Sequence, residues 1–302
     1  MGINFTVNPL NPKYLDFRIM LFEMTCLPGI LCQSTQNFTW IVIIDKKLPE
    51  KYKQRLKSLI KPKKRAFIWE YDPTVRIESI DWIKPYIQGN PDYLITSNLD
   101  DDDILPSNFI ESSKKHVLEI EQHKKLPTLK LLGNKQIIQW DLVHTEAAPL
   151  GWRSPWHRGN FYSSCGFSLI AKYPLVEYSV LGIMHRMAEK YIDFSLRPNN
   201  KNIAFHHKRF KETFRKNNDD FRQWNKKDLL FDLSETTGPV LMTNHKFNAQ
   251  YGRLYEVKPE LLKVTGPETF PEFNIDWDFV IKNISRFNID HMLYLKENIT
   301  TS

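Results

Sequence analysis

The chain has 302 residues, of which 41% are hydrophobic and 13% aromatic, ample for a packed core and far from the composition of a disordered chain. Its 42 Lys and Arg against 35 Asp and Glu leave a formal charge of +7, which favours an anionic partner, but the basic residues are too dispersed for a nucleic-acid stripe. The three cysteines, Cys26, Cys32 and Cys165, lack metal-ligand spacing, argue against a disulfide framework and fit a reducing compartment. No apolar run approaches the ~18 residues of a membrane helix. The first residues carry no secretory pattern, so the expectation is a cytoplasmic protein with no transmembrane segment and room for peripheral membrane association.

Residues 3–7 read as a short strand ended by Asn8-Pro9. Residues 16–27 carry Phe17, Met20, Leu21, Met24 and Leu27 at helical spacing, and Pro28-Gly29 is expected to interrupt that helix. Trp40 to Ile44 form a near-continuous apolar run ending at Asp45, the pattern of a parallel strand covered on both faces. A helix over 49–60 with Pro at its start, a strand over 67–71, a helix over 79–87 and a strand over 93–99 follow. Alternating strands and helices imply right-handed crossovers and a mostly parallel, doubly wound α/β sheet, whose ligands bind beyond the strand C-terminal ends.

The second half is less regular. A helix over 107–122 with Ser107 as its cap precedes a hairpin over 129–142 that turns at Gly133-Asn134. Residues 145–160, rich in Pro, Gly, Trp and Arg, read as a functional loop. A strand over 162–171, a helix over 174–191, a polar and basic flap over 199–224, a segment over 240–248 after Gly238-Pro239 and an amphipathic tail from 275 complete the chain.

The strand over 93–99 ends in Asp100, Asp101, Asp102 and Asp103. Adjacent carboxylates repel one another and destabilise the fold unless a cation neutralises them. Hard oxygen ligands suit Mg2+, Mn2+ or Ca2+, so the block reads as a divalent-metal site that receives nucleotide phosphates. Arg153, Arg158, Lys208 and Arg209 are candidates for phosphate contact. Trp152 and Trp156, framed by Trp140 and Tyr162, offer aromatic faces to a sugar acceptor.

Arg18 with Leu21-Phe22, Cys26-Leu27-Pro28, Gln33-Ser34, Phe38-Thr39-Trp40 up to Asp45, and Ile95 through Asp103 together resemble a rhamnosyltransferase family of the GT-A glycosyltransferases. Phe167-Ser168-Leu169, Ser179-Val180 with His185, and Asn244 through Asn248 fit more loosely. The resemblance implies a GT-A (Rossmann-like) fold, with residues 1–250 as the transferase domain and 251–302 as a C-terminal helical extension. Within that domain, 1–105 would be the nucleotide-binding half and 106–250 the acceptor-binding half.

By the same resemblance, Asp100-Asp101-Asp102 is a DxD motif. Asp100 and Asp102 would hold Mn2+ or Mg2+, with His245 completing the metal shell, while Thr6, Val7, Arg18, Asp45, Asp100 and Asp101 would contact a UDP-, GDP- or dTDP-linked sugar. The family's middle position is not usually acidic, so Asp101 leaves open which two carboxylates are ligands. His185 and Asp193 are the candidate bases for activating a glycan hydroxyl, with Glu177 as a third option. The function implied is metal-dependent transfer of a sugar to a hydroxyl acceptor. A metal-dependent phosphoesterase or nuclease and a non-catalytic nucleotide-sugar binder are the rival readings.

Overall fold

A computed structural model describes residues 10–123, 125–142, 148–157, 162–183, 185, 188, 192, 212–213, 215–217, 223–245 and 263–283. Helix α1 (Pro12–Met24) starts on Asn11, whose side-chain oxygen accepts the Lys13 N–H, with proline in the first turn where its missing donor is not needed. Almost every residue of α1 from Tyr14 on is buried, Arg18 included. Thr25 breaks the path, and α2 (Cys26–Leu31) follows. The sequence places a break at Pro28-Gly29. Both residues instead lie inside α2, where Pro28 falls in the first turn and Gly29 lets the helix press against Ile104.

Strand β1 (Trp40–Asp45) pairs in parallel with β2 (Ala66–Tyr71), joined through α3 (Glu50–Ile60). Strand β3 (Tyr93–Ser97) leads into the aspartates, of which Asp101 and Asp102 form a turn and Asp103 opens β4 (Asp103–Ile104). Helix α4 (Phe109–Gln122) starts after Asn108 rather than Ser107. Four strands follow: β5 (Leu129–Gly133), β6 (Gln136–Asp141), β7 (Trp152–His157) and β8 (Ser168–Lys172). The short α5 (Lys226–Leu229), β9 (Leu230–Asp232) and α6 (Ser234–Thr237) precede β10 (Val240–Asn244), β11 (Lys263–Val264) and α7 (Trp277–Asn283).

The result is a mixed α/β fold with parallel and antiparallel strands flanked by helices. Among the described residues the strands form three sheets, ordered β1-β2, β11-β7-β6-β10-β4 and β3-β8-β5-β9. Antiparallel pairs (β3 with β8, β6 with β7, β10 with β4) make the sheets mixed rather than mostly parallel.

Four further expectations are corrected. Residues 129–142 are not a hairpin, because β5 and β6 enter different sheets. The connection between them is pinned by distant groups: Ser234 Oγ accepts the Lys135 and Gln136 N–H at 3.0 and 3.1 Å, and the Asn134 carbonyl accepts the Ser163 N–H. Residues 79–87 are turns with one 3-10 turn at Lys84–Tyr86: Ile80 N–H bonds to the Glu177 carbonyl and the neighbouring Glu78 carbonyl accepts from Ser179 N–H, while the rest close short local turns such as Tyr86 N to Ile83 O. Of the helix expected over 174–191, the described stretch 174–183 holds one 3-10 turn at Val180–Gly182 instead. The loop expected over 145–160 contains β7, paired along its length with β6.

One core cluster, containing Phe22, Ile44, Leu56, Phe109 and Ile170, lies between the helices and the strands β1, β3, β5 and β8. A second joins α1 to the five-stranded sheet and the C-terminal segment through Phe17, Leu21, Trp140, Leu241, Phe270 and Val280. Helix α1 therefore contributes to both clusters. Its Arg18 lies on the line between them, at the point where β3 ends and β10 ends.

Candidate functional site

The aspartates leave β3 in a turn that is almost wholly buried: Asp101 is 8% exposed, Asp102 7% and Asp103 1%. Such a cluster needs positive charge or protons to persist. Arg18 reaches it from α1. Its guanidinium forks onto Asp101, through an ion pair to Oδ1 and a 3.1 Å bond from Nε to Oδ2, and Nη1 donates to Asp102 Oδ2 at 3.3 Å. The C-terminal end of β10 delivers His245, fully buried, with Nε2 2.9 Å from Asp102 Oδ2 and 3.2 Å from Arg18 Nη1. Thr243 Oγ1 donates to the Asp102 carbonyl at 2.7 Å, which fixes the turn against β10. The Phe17 ring meets His245 edge-on at 5.4 Å.

Charge is divided unevenly over the four carboxyls. Burial pushes Asp102 up, but the Arg18 guanidinium and the His245 hydrogen bond outweigh it and hold the carboxyl well below its usual range. Asp103 goes the other way: burial first, then the Asp102 charge, raise it strongly, and its Oδ2 has no hydrogen-bond partner among the described residues. Asp100 is raised for the same two reasons and accepts from Ser164 Oγ at 3.3 Å. Burial lowers His245 despite the opposing Asp102 contact, so its imidazole favours the neutral, ligand-competent form. Arg18 stays charged: Asp101 and Asp102 more than offset the effect of its burial.

The donor set can be tested against an octahedral cation. Bonds of ~2.1 Å place neighbouring ligand atoms about 3.0 Å apart, and carboxylate with imidazole suits Mn2+. Asp102 Oδ2 and His245 Nε2, 2.9 Å apart, match two adjacent vertices. Among the described residues no group of three His, Cys, Asp or Glu side chains is disposed around one point, and Arg18 Nη1 occupies the space beside the pair.

Other sequence candidates fall in several places. Asp45 ends β1 exposed, with Oδ1 accepting the Lys47 N–H at 2.7 Å; with Asp100 and Asp101 it lines one large cleft bounded by β1 and β3. His185 sits with its ring 6.4 Å from Phe167, whose backbone pairs with Asn98, two residues before Asp100. Trp152 pairs with Asp141, which itself neighbours Asn244 across the sheet, so β7 begins at the His245 end of β10 and runs away from it. Trp156 is paired with Ile137 through the backbone. Thr6, Val7, Asp193, Arg158, Lys208 and Arg209 lie outside the described residues.

Trp140 is wholly buried and donates to the Leu150 carbonyl at 2.9 Å, which makes it core rather than acceptor platform. Arg153 is engaged by Glu272 and the Thr269 carbonyl, and Glu177 pairs with Lys216, so both have structural partners.

Two residues to which sequence reasoning gave no role belong to this corner. Tyr14, one helical turn before Arg18, lines the same cleft, and burial raises its hydroxyl pKa. Asn244 is buried with neither amide atom hydrogen-bonded among the described residues, one position before His245. The i, i+4 spacing of Tyr14 and Arg18 was the available signal for the first. Asn244 carried none beyond its adjacency to His245.

A family model described as "Putative rhamnosyl transferase" matches residues 9–138, somewhat less than half of the chain. The match spans Arg18, β1 to β3, Asp45 and all four aspartates, and stops before His185 and His245. No curated protein matches the chain. The family match supports a glycosyltransferase, a class that uses a nucleotide-sugar donor, and no described helix is long and apolar enough to cross a membrane.

Proposed function

We propose that the chain is a metal-dependent glycosyltransferase of the GT-A type, which binds a nucleoside-diphosphate sugar in the cleft between β1 and β3 and passes the sugar to a glycan hydroxyl. The observation that carries this reading is the buried pair of Asp102 and His245, 2.9 Å apart and both in contact with Arg18, which with Asp100 and Asp101 lines a cleft that also reaches Asp45. Asp102 and His245 would hold Mn2+ or Mg2+ by adjacent vertices. Such ions are commonly bound by one or two protein ligands, with substrate phosphates and water filling the rest, which accords with a two-residue site. The cation would neutralise charge growing on the departing diphosphate. Asp45 and Asp100 are suited to the nucleoside and Arg18 to the phosphates once it leaves Asp102. Asp193 and His185 are the proposed bases, and Trp152 and Trp156 the proposed acceptor contacts.

Arg18 favours a second reading. A fixed guanidinium beside the phosphates could supply the positive charge itself, without a metal. One assay separates the two: release of nucleoside diphosphate from a panel of UDP-, GDP- and dTDP-sugars, with Mn2+ and with a chelator. Release only with Mn2+ supports the first reading, and equal release in chelator supports the second. No release from any donor, under either condition and with glycan acceptors present, refutes transferase activity on these donor classes.

A further inference from the structure

Between Glu50 and Glu70 the chain carries eight lysines and arginines and no acid. Lys53 and Arg55 pair with Glu70 and Glu23. Lys57, Lys61, Lys63, Lys64 and Arg65, from the last turn of α3 to the start of β2, have no ion pair among the described residues. The fold adds two more cations of the same kind, Lys114 and Lys115, from α4. On that helix Glu111 accepts from Ser34, Glu119 pairs with His116, and Glu121 lies about two turns beyond Lys114.

Three of these cations converge on one short loop before β1. Lys63 Nζ donates to the Gln36 and Phe38 carbonyls at 2.8 and 3.0 Å, Lys114 Nζ to the Asn37 carbonyl at 2.6 Å, and Arg65 to Asn37 Oδ1 at 3.2 Å and Thr39 Oγ1 at 2.7 Å. Neutral oxygens satisfy the donors but do not cancel the charge. Burial first, then Arg65 and Lys114, lower the pKa of Lys63; burial, then Arg65, lower that of Lys114. Like charges held together in this way cost stability unless an anion joins them. Around the three, Lys57, Lys61, Lys64 and Lys115 are exposed. Two apolar side chains border the cations: Leu118, one turn after Lys114, is 53% exposed, and Phe67, two residues after Arg65, is 39% exposed.

We propose that this end of the molecule docks on an anionic membrane surface, with its lysines among the lipid headgroups and Leu118 and Phe67 entering the boundary with the acyl chains. Two observations select lipid over nucleic acid. The apolar side chains at the rim gain from acyl chains and gain nothing from a phosphate backbone. The cations are lysines apart from Arg65, and long flexible stems carrying point charges suit headgroups of no fixed geometry. The Arg65 carbonyl accepts the Trp40 N–H at 2.8 Å, which sets the patch at the start of β1, whereas Asp45 ends that strand. Six residues at ~3.3 Å put the two about 20 Å apart, so a docked chain keeps the Asp45 mouth in water. The proposal rests on the basic patch and its rim, apart from the metal and the donor.

Co-sedimentation of the full chain with vesicles tests it, using phosphatidylcholine alone and phosphatidylcholine mixed with phosphatidylglycerol. Binding should require the anionic lipid and weaken as salt rises above about 0.1 M. Lys61→Ala, Lys64→Ala and Lys115→Ala together remove three exposed charges. At roughly fivefold per charge the triple variant should bind about a hundredfold more weakly, with wild-type Tm. Leu118→Ser should weaken binding to the same vesicles about tenfold. Failure to bind anionic vesicles, equal binding to neutral ones, or wild-type binding by either variant overturns the proposal. Duplex oligonucleotide bound as tightly as the vesicles, and released by the triple variant, also overturns it and assigns the patch to nucleic acid.

Discussion

Replacing Arg18 with Met isolates what the guanidinium does for the acidic turn. In the folded chain Arg18 is 5% exposed and neutralises Asp101 and Asp102, with His245 3.2 Å away. Methionine fills a similar stem volume but leaves two buried carboxylates without a counter-charge. Breaking a buried pair in this way costs about 3–5 kcal/mol. At roughly 2 °C per kcal/mol for a long single chain, Tm in chelator should fall by about 6–10 °C.

A divalent cation should then reverse the loss. Bound at 100 times its Kd it contributes about 2.7 kcal/mol, so Mn2+ should raise the Tm of Arg18→Met by roughly 5 °C. The wild type should gain less, since there Arg18 competes for Asp102. The assay is calorimetry of both chains in chelator and across a Mn2+ titration. Equal melting of the two proteins in chelator would refute the reasoning, because the carboxylates would then have no need of Arg18.

Asp102→Ala and His245→Ala should each weaken Mn2+ binding at least about tenfold by calorimetric titration, the scale on which loss of a group that supports a metal is felt. Gly151→Ala should destabilise the chain by about 1–3 kcal/mol in a denaturant melt, because Gly151 has φ +86° and a Cβ there would collide with the Asp141 carbonyl. Asp103→Asn should stabilise the metal-free chain in a pH-dependent way. Burial raises the folded-state pKa of Asp103, so above about pH 4 the unfolded chain releases a proton that the folded chain retains, and stability falls as pH rises. The Tm difference between Asp103→Asn and wild type in chelator should be near zero at pH 4 and grow to several °C by pH 7, for about 1–3 kcal/mol. A difference that does not change with pH would refute the assignment.

Local pattern carried much of the fold. The apolar run of β1, the amphipathic α3 and α4 and the strand leading into the aspartates were all legible, because each is decided by residues within one window. The errors lie where distant partners prevail. Gly133-Asn134 has the chemistry of a hairpin turn, yet Ser163 and Ser234 capture the turn's polar groups and send β6 to another sheet. Residues 79–87 have helical spacing, but the bond of Ile80 N–H to the distant Glu177 carbonyl draws the start of the segment out of a helical path. In the site, the acidic block announced itself. The fork of Arg18 onto Asp101 and Asp102 did not, since an arginine on an apolar helix face gives no sign of which acid it will meet.

Asp102 and His245 are 143 positions apart in the chain. During synthesis the acidic turn emerges long before the histidine is made, and α1 with its Arg18 emerges earlier still. The nascent chain can therefore neutralise its carboxylates with its own arginine as soon as they appear, and it gains the imidazole only when β10 docks. Until β10 docks, Arg18 is the counter-charge that Asp101 and Asp102 share, and the Asp102–His245 contact is made only with the five-stranded sheet in place.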